Sequence, residues 1–217
     1  MSCAICEKRK EKRFCAAVHG RICPQCCGEQ REVSLDCPSD CAYLQQAREH
    51  EKPREISELE EAALFPKIEI AQQFLYEHEP LLLGFTFALA KSAHADRTLT
   101  DRDLLAAITS MAKGYETLVN SGLHYEQAPA GAGQQAVVAE LQGMLKGYRE
   151  EETKSLGYSR LRDSEVLRAL VFLLRIGFSR TSGRPKSRAY IDFLSSQFPQ
   201  KQSVIASPEQ ARTLVLS

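Results

Sequence analysis

All eight cysteines of this 217-residue chain lie between Cys3 and Cys41. They fall in metal-ligand spacing: Cys3-x2-Cys6, Cys15, Cys23-x2-Cys26-Cys27, and Cys37-x3-Cys41. Structural zinc takes four tetrahedral thiolate or imidazole ligands, and two thiols two residues apart on a turn can bite one ion. Eight thiols fill two such sites without remainder. The reading is two Zn2+ ions per chain, with Cys3, Cys6, Cys15, Cys23, Cys26, Cys27, Cys37 and Cys41 as ligands.

The spacing leaves the partition open. A sequential arrangement puts Cys23, Cys26, Cys37 and Cys41 in one site. Cys3, Cys6 and Cys15 then take either His19 or Cys27. A cross-brace pairs Cys3 and Cys6 with Cys23 and Cys26, and Cys15 with Cys37, Cys41 and either His19 or Cys27. His19 follows Cys15 by four residues, which makes it a ninth candidate. Other chemistry fits less well. An iron–sulfur cluster would use four thiols and leave four unexplained. A thioredoxin-like motif needs a preceding strand in a βαβ unit.

These ligands need turns and helix ends to hold them. Cys23-Pro24-Gln25-Cys26-Cys27-Gly28 reads as a zinc knuckle, with Gly28 free to take a positive φ. Cys37-Pro38-Ser39-Asp40-Cys41 reads as a helix start, with Pro38 at the first helical position. Residues 29–36 are long enough for a hairpin arm in which Val33 and Leu35 alternate. Knuckle, hairpin and ligand-bearing helix together make a treble-clef pattern. So small a segment, poor in large apolar residues, cannot build a sufficient core. Zinc must contribute much of its folding, worth ~10–16 kcal/mol per structural site.

The run ICPQCCGEQREVSLDCPSDCAYLQQAR resembles uncharacterised bacterial cysteine-rich proteins that share ICxxCCG, an arginine a few residues on, and CPxDCxYL. The distal GRPKSRAYIDFL is similar to a segment those chains carry near their C-terminal end. The resemblance covers the first 48 residues well and the remainder loosely. It implies that Cys23, Cys26, Cys27, Cys37 and Cys41 act together, which favours Cys27 over His19. It implies no activity. The module is also generically similar to treble-clef and cross-brace fingers of the RING, MYND and HIT types, although its spacings match none of them.

From residue 38 onward the periodicity is helical. A first helix is expected from Pro38 to about Lys52. Leu64, Ile68, Ala71, Phe74 and Leu75 recur at helical spacing, interrupted by Pro66. Pro80 to Ser92 is apolar on nearly all sides and is expected to form a central buried helix. Thr100-x-x-Asp103 resembles a capping box opening a helix that Gly122 ends. Further helices are expected over 134–152, from a cap at Asp163 or Ser164, and over 187–197. The expected fold is a small zinc-binding module, treble-clef or cross-brace in type, followed by an all-α bundle. The expected boundaries are a module over 1–50, a charged linker or helix start over 51–62, a helical domain over 63–198 and a loose tail over 199–217.

Composition narrows the function. The chain is 43% hydrophobic and 26% charged, as in ordinary globular proteins. Its longest uncharged apolar run, Pro80 to Ala90, falls far short of the roughly 20 residues of a membrane helix. MSCAICEKRK places cysteines where a signal peptide would need an apolar stretch. A cytoplasmic protein that keeps its thiols reduced is expected, with no membrane partner. Net charge is zero but uneven: +4 over residues 1–31, −6 over 32–62, −5 over 63–152 and +7 over 153–217.

No GxSxG, P-loop or HExxH motif is present, and His50, His78, His94 and His124 stand singly. The expectation is a non-enzymatic interaction or regulatory protein with a protein partner. Nucleic acid is the alternative partner, through Lys8 to Arg13 and a second basic segment over 180–188. There Arg180, Arg184, Lys186 and Arg188 lie on a Gly/Pro-containing loop suited to an anion. A further alternative is a thiol redox sensor that releases zinc on oxidation.

Overall fold

The computed structural model describes residues 1–51, 64–124 and 129–198. The expected linker over 51–62 and tail over 199–217 lie, apart from Glu51, outside the described residues.

Two hydrophobic cores form, with no residue in common. The smaller contains Cys3, Ile22, Cys23, Cys26, Cys27 and Leu35. Around it runs a short hairpin, β1 (Arg13–Cys15) and β2 (Gly20–Ile22), paired antiparallel with Phe14 opposite Arg21. A 3-10 turn over Ala16–Val18 joins the strands, and His19 closes it at φ 48°. Helix α1 (Pro24–Gln30) follows, with Cys23 as N-cap and Pro24 inside the first turn. Helix α2 (Ala42–His50) comes after an irregular stretch.

Three local expectations change here. Gly28 sits inside α1 instead of in a positive-φ turn. The left-handed position after that helix is Glu32, at φ 53°. The hairpin lies before the Cys23 knuckle, not over 29–36. Gln30 C=O gathers the N–H groups of Val33, Ser34 and Leu35 there, which curls the chain into a turn. Finally, α2 begins after Cys41. Cys41 N–H bonds to Pro38 C=O in a turn, and Cys41 itself is the N-cap.

The larger core belongs to six helices: α3 (Gln72–Glu77), α4 (Glu79–Ala95), α5 (Asp101–Ser121), α6 (Ala132–Leu156), α7 (Asp163–Arg180) and α8 (Ala189–Ser196). Helix α5 packs chiefly on α7 and also on α6, while α4 packs on α6 and α8. The heptad-like face of α5 delivers Leu104, Ile108 and Ala112 to full burial. Asp103 Oδ2 accepts the Thr100 N–H at 3.0 Å, the carboxylate half of a capping box, and also the Thr100 hydroxyl at 2.7 Å. Gly122, at φ 69°, ends the helix.

The expected helix over 64–75 is confined to α3. Residues 64–71 stay irregular because Pro66 follows Phe65, which is held at φ 53°. Arg175 of α7 ties this stretch down by donating to the carbonyls of Leu64, Phe65 and Ile68. Helix α4 is less uniformly buried than its composition suggested. Leu83 and Phe87 are about half exposed, at 49% and 53%. Arg162, not Asp163 or Ser164, caps α7, and Glu165 Oε2 accepts its N–H at 2.8 Å.

Candidate metal centre

The thiols of Cys3, Cys6, Cys23 and Cys26 all lie within 4.8 Å of one another. A tetrahedron with Zn–S of ~2.3 Å has sulfur–sulfur edges of about 3.8 Å, so this cluster is close to ligand geometry. Cys3, Cys23 and Cys26 are buried and Cys6 is half-buried. The group can hold a metal ion. It is the grouping expected for the first site of a cross-brace, in which the first cysteine pair joins the third cluster and skips Cys15.

Local structure explains the convergence. Cys3 N–H bonds to Arg9 C=O and Glu7 N–H returns to Cys3 C=O, which folds residues 3–9 into a tight loop. Ala4 N–H reaches Arg21 C=O and lays that loop against β2. Strand β2 then delivers the chain directly to Cys23. Pro24 starts α1, and one helical turn brings Cys26 back beside Cys23.

Amide donors surround the sulfurs. Cys23 N–H lies 3.2 Å from Cys3 Sγ, Ile5 N–H 3.5 Å from the same sulfur, and Cys26 N–H 3.4 Å from Cys23 Sγ. Burial by itself would raise the Cys3 thiol. The backbone amides of Cys6, Cys23 and Ile5 outweigh it and lower Cys3 to about 6. The Cys26 amide likewise lowers Cys23. Cys26 is pushed up to about 12, first by burial and then by its hydrogen bonds with Cys23, Cys6 and Cys3. Four sulfurs this close cannot all ionise unless a cation sits among them. Soft thiolates in this arrangement suit zinc or an iron–sulfur centre.

The remaining four cysteines, Cys15, Cys27, Cys37 and Cys41, are not gathered within the same distance. His19 is exposed on the hairpin turn.

The basic segments have specific places. Arg9 Nη1 lies 3.9 Å from Cys23 Sγ and Arg13 Nη1 3.7 Å from Cys27 Sγ. Arg13 also stacks over Tyr43, 4.5 Å from the ring centre. The alternative nucleic-acid reading placed both arginines on a basic loop and did not foresee their approach to the thiols. The CxxC-flanking cations were the available signal.

The four cations over 180–188 meet intramolecular partners. Arg180 stacks over Phe193 at 4.4 Å. Arg184 donates to Arg31 C=O at 2.8 Å and Gly28 C=O at 3.2 Å. Lys186 Nζ reaches Asp36 at 2.9 Å and Ser34 C=O at 3.0 Å. Arg188 donates to the carbonyls of Arg97, Leu99 and Ala93. In this arrangement Arg184 and Lys186 clamp the cysteine module, and Arg188 grips the bundle.

A second joint involves Glu32, which is 2% exposed. Arg48 bridges Glu32 at 2.8 Å and Asp192 at 2.7 Å, and Ser182 donates to Glu32 at 3.0 Å. Burial would lower the Arg48 guanidinium, but its bonds to Asp192 and Glu32 hold it above the usual arginine value.

No family model, curated protein or solved structure matches this chain. Among the described residues, no helix is long and apolar enough to cross a membrane.

Proposed function

We propose that this chain is a zinc-binding, non-enzymatic interaction protein, in which a cross-brace module is stabilised by zinc and held on a helical domain. The carrying observation is the cluster of Cys3, Cys6, Cys23 and Cys26. Four thiolates complete a tetrahedron and leave no position for substrate, whereas catalytic zinc keeps one open. The amides on Cys3 and Cys23 favour a thiolate centre, and Arg9 offsets its negative charge. The zinc is then structural, and the function lies in surfaces that the module and bundle offer to a protein partner in the cytoplasm.

The test has two arms. Protein purified without added metal is expected to contain zinc, and the Cys3→Ser/Cys6→Ser variant to lose it from this cluster. The full chain is expected to bind a saturable protein partner, and that same variant to bind it more weakly. Iron or no metal in the purified protein would overturn the zinc reading. Absence of a saturable partner for either half of the chain would overturn the interaction reading.

A further inference from the structure

We infer that Cys15, Cys27, Cys37 and Cys41 form a second four-thiolate zinc site, interleaved with the first. This rests on the proposed zinc module and specifies its other half. The four sulfur-bearing residues come from four separate places: the end of β1, the middle of α1, the turn before Pro38, and the N-cap of α2. All four nevertheless line one small cavity, about 20 Å³ in volume, closed on its other sides by residues that include Ile22, Leu35 and Leu44. A volume of that size suits a single small occupant. An ion there would draw the sulfurs in to tetrahedral edges of about 3.8 Å.

A further observation points to the same place. Cys27 has Arg13 at 3.7 Å, as Cys23 of the first cluster has Arg9 at 3.9 Å. Each cluster thus has a guanidinium beside one sulfur of α1 or its cap. His19 does not line the cavity, which leaves Cys27 as the fourth ligand.

The position of this site matters for the whole molecule. Its Cys37–Cys41 edge runs directly into contacts with the bundle. Asp36 pairs with Lys186, and Ser39 donates to Asp192 at 2.7 Å. A metal at this site fixes the segment that docks onto α8, whereas the first cluster organises the N-terminal loop and the knuckle.

The deciding experiment is metal stoichiometry on the full chain, reconstituted with zinc under reducing conditions, combined with thiol titration of the folded protein. The expected result is two zinc ions per chain and no reactive thiol. Cys37→Ser and Cys15→Ser are each expected to drop to one zinc, and His19→Ala to retain two. Cobalt substituted for zinc should give tetrahedral thiolate absorption that saturates at two equivalents in the parent and at one in Cys37→Ser. One zinc with four reactive thiols in the parent would overturn the second site while leaving the first intact. Two zincs retained in both cysteine variants would overturn the ligand set. No zinc at all would overturn both sites together.

Discussion

At the scale of single residues, Asp103 shows how one carboxylate serves two elements. It accepts from Thr100 at the start of α5 and from Gln134 Nε2 of α6 at 3.0 Å. Burial would raise its carboxyl, but the bonds from Gln134 and Thr100 prevail and hold it below the usual 3.8. A carboxyl lowered in this way binds its proton more weakly in the folded protein than in the unfolded chain. Its contribution is complete above about pH 4 and is lost as pH falls through the folded value. Asp103→Ala is expected to cost about 1 kcal/mol at pH 7, the usual worth of a helix cap. Urea unfolding of parent and variant at pH 7 and pH 3 tests this. The gap should narrow at the lower pH, and an equal gap at both would show that the charge contributes nothing. Asp101, which is fully buried, also bonds to a second element. It accepts from the amides of Tyr190 and Ile191 and from the Ser187 hydroxyl, and so caps α8 from the neighbouring helix.

At the scale of elements, α7 lies hard against its neighbours at Gly177. A Cβ there would stand 2.5 Å from Leu105 of α5 and 2.8 Å from the Tyr190 ring of α8. Neither neighbour can yield easily. Leu105 is packed in the core, and Tyr190 is fully buried with its hydroxyl bonded to Leu173 C=O at 3.0 Å. Gly177→Ala would gain up to about 1 kcal/mol of helix propensity. Overpacking is expected to outweigh that gain, for a net loss of about 2 kcal/mol. A lower urea midpoint at unchanged slope is the expected observation, and a raised midpoint would mean that α7 has room to move. Gly84 makes a useful contrast. A Cβ there meets the flexible Met144 thioether at 2.8 Å, which has other rotamers to adopt.

At the scale of the whole molecule, two cores with no common residue are joined through polar contacts, chiefly those of Glu32, Arg48, Arg184, Lys186 and Asp192. The larger core is built from apolar side chains on long helices and does not depend on a metal. The smaller has four of its six buried members as cysteines, so on the proposed zinc reading its stability follows the metal. Chelation is therefore expected to unfold the module selectively. In hydrogen exchange, peptides from residues 1–44 should lose protection. Peptides covering 104–112 and 166–174 should keep it, with a lower thermal midpoint once the acceptors of Arg184 and Lys186 are gone. Simultaneous loss of protection in all these peptides would show one cooperative unit instead of two.

The local chemistry was legible from the chain alone. Clustered CxxC pairs pointed to a group of thiols able to hold a metal, and Cys3, Cys6, Cys23 and Cys26 do converge into one. The helices α5, α6 and α7 were visible because an apolar face must repeat with the helical period, and Thr100, Asp103 and Gly122 carry end signals that depend only on neighbours in sequence. What sequence left open were choices between partners distant along the chain. Cys3 joins Cys23 instead of Cys15 because the Ala4–Arg21 pairing lays the first loop against β2, a contact with no local signature. No hairpin forms over 29–36 because Gln30 C=O collects the amides of residues 33–35 and curls that segment into a turn, and the hairpin lies at 13–22 instead. The basic loop at 184–188 faces inward because Gly28, Arg31 and Ser34 present carbonyls there. Charge type and spacing can be read along the chain, but the acceptor that a cation meets is set only when the two cores pack together.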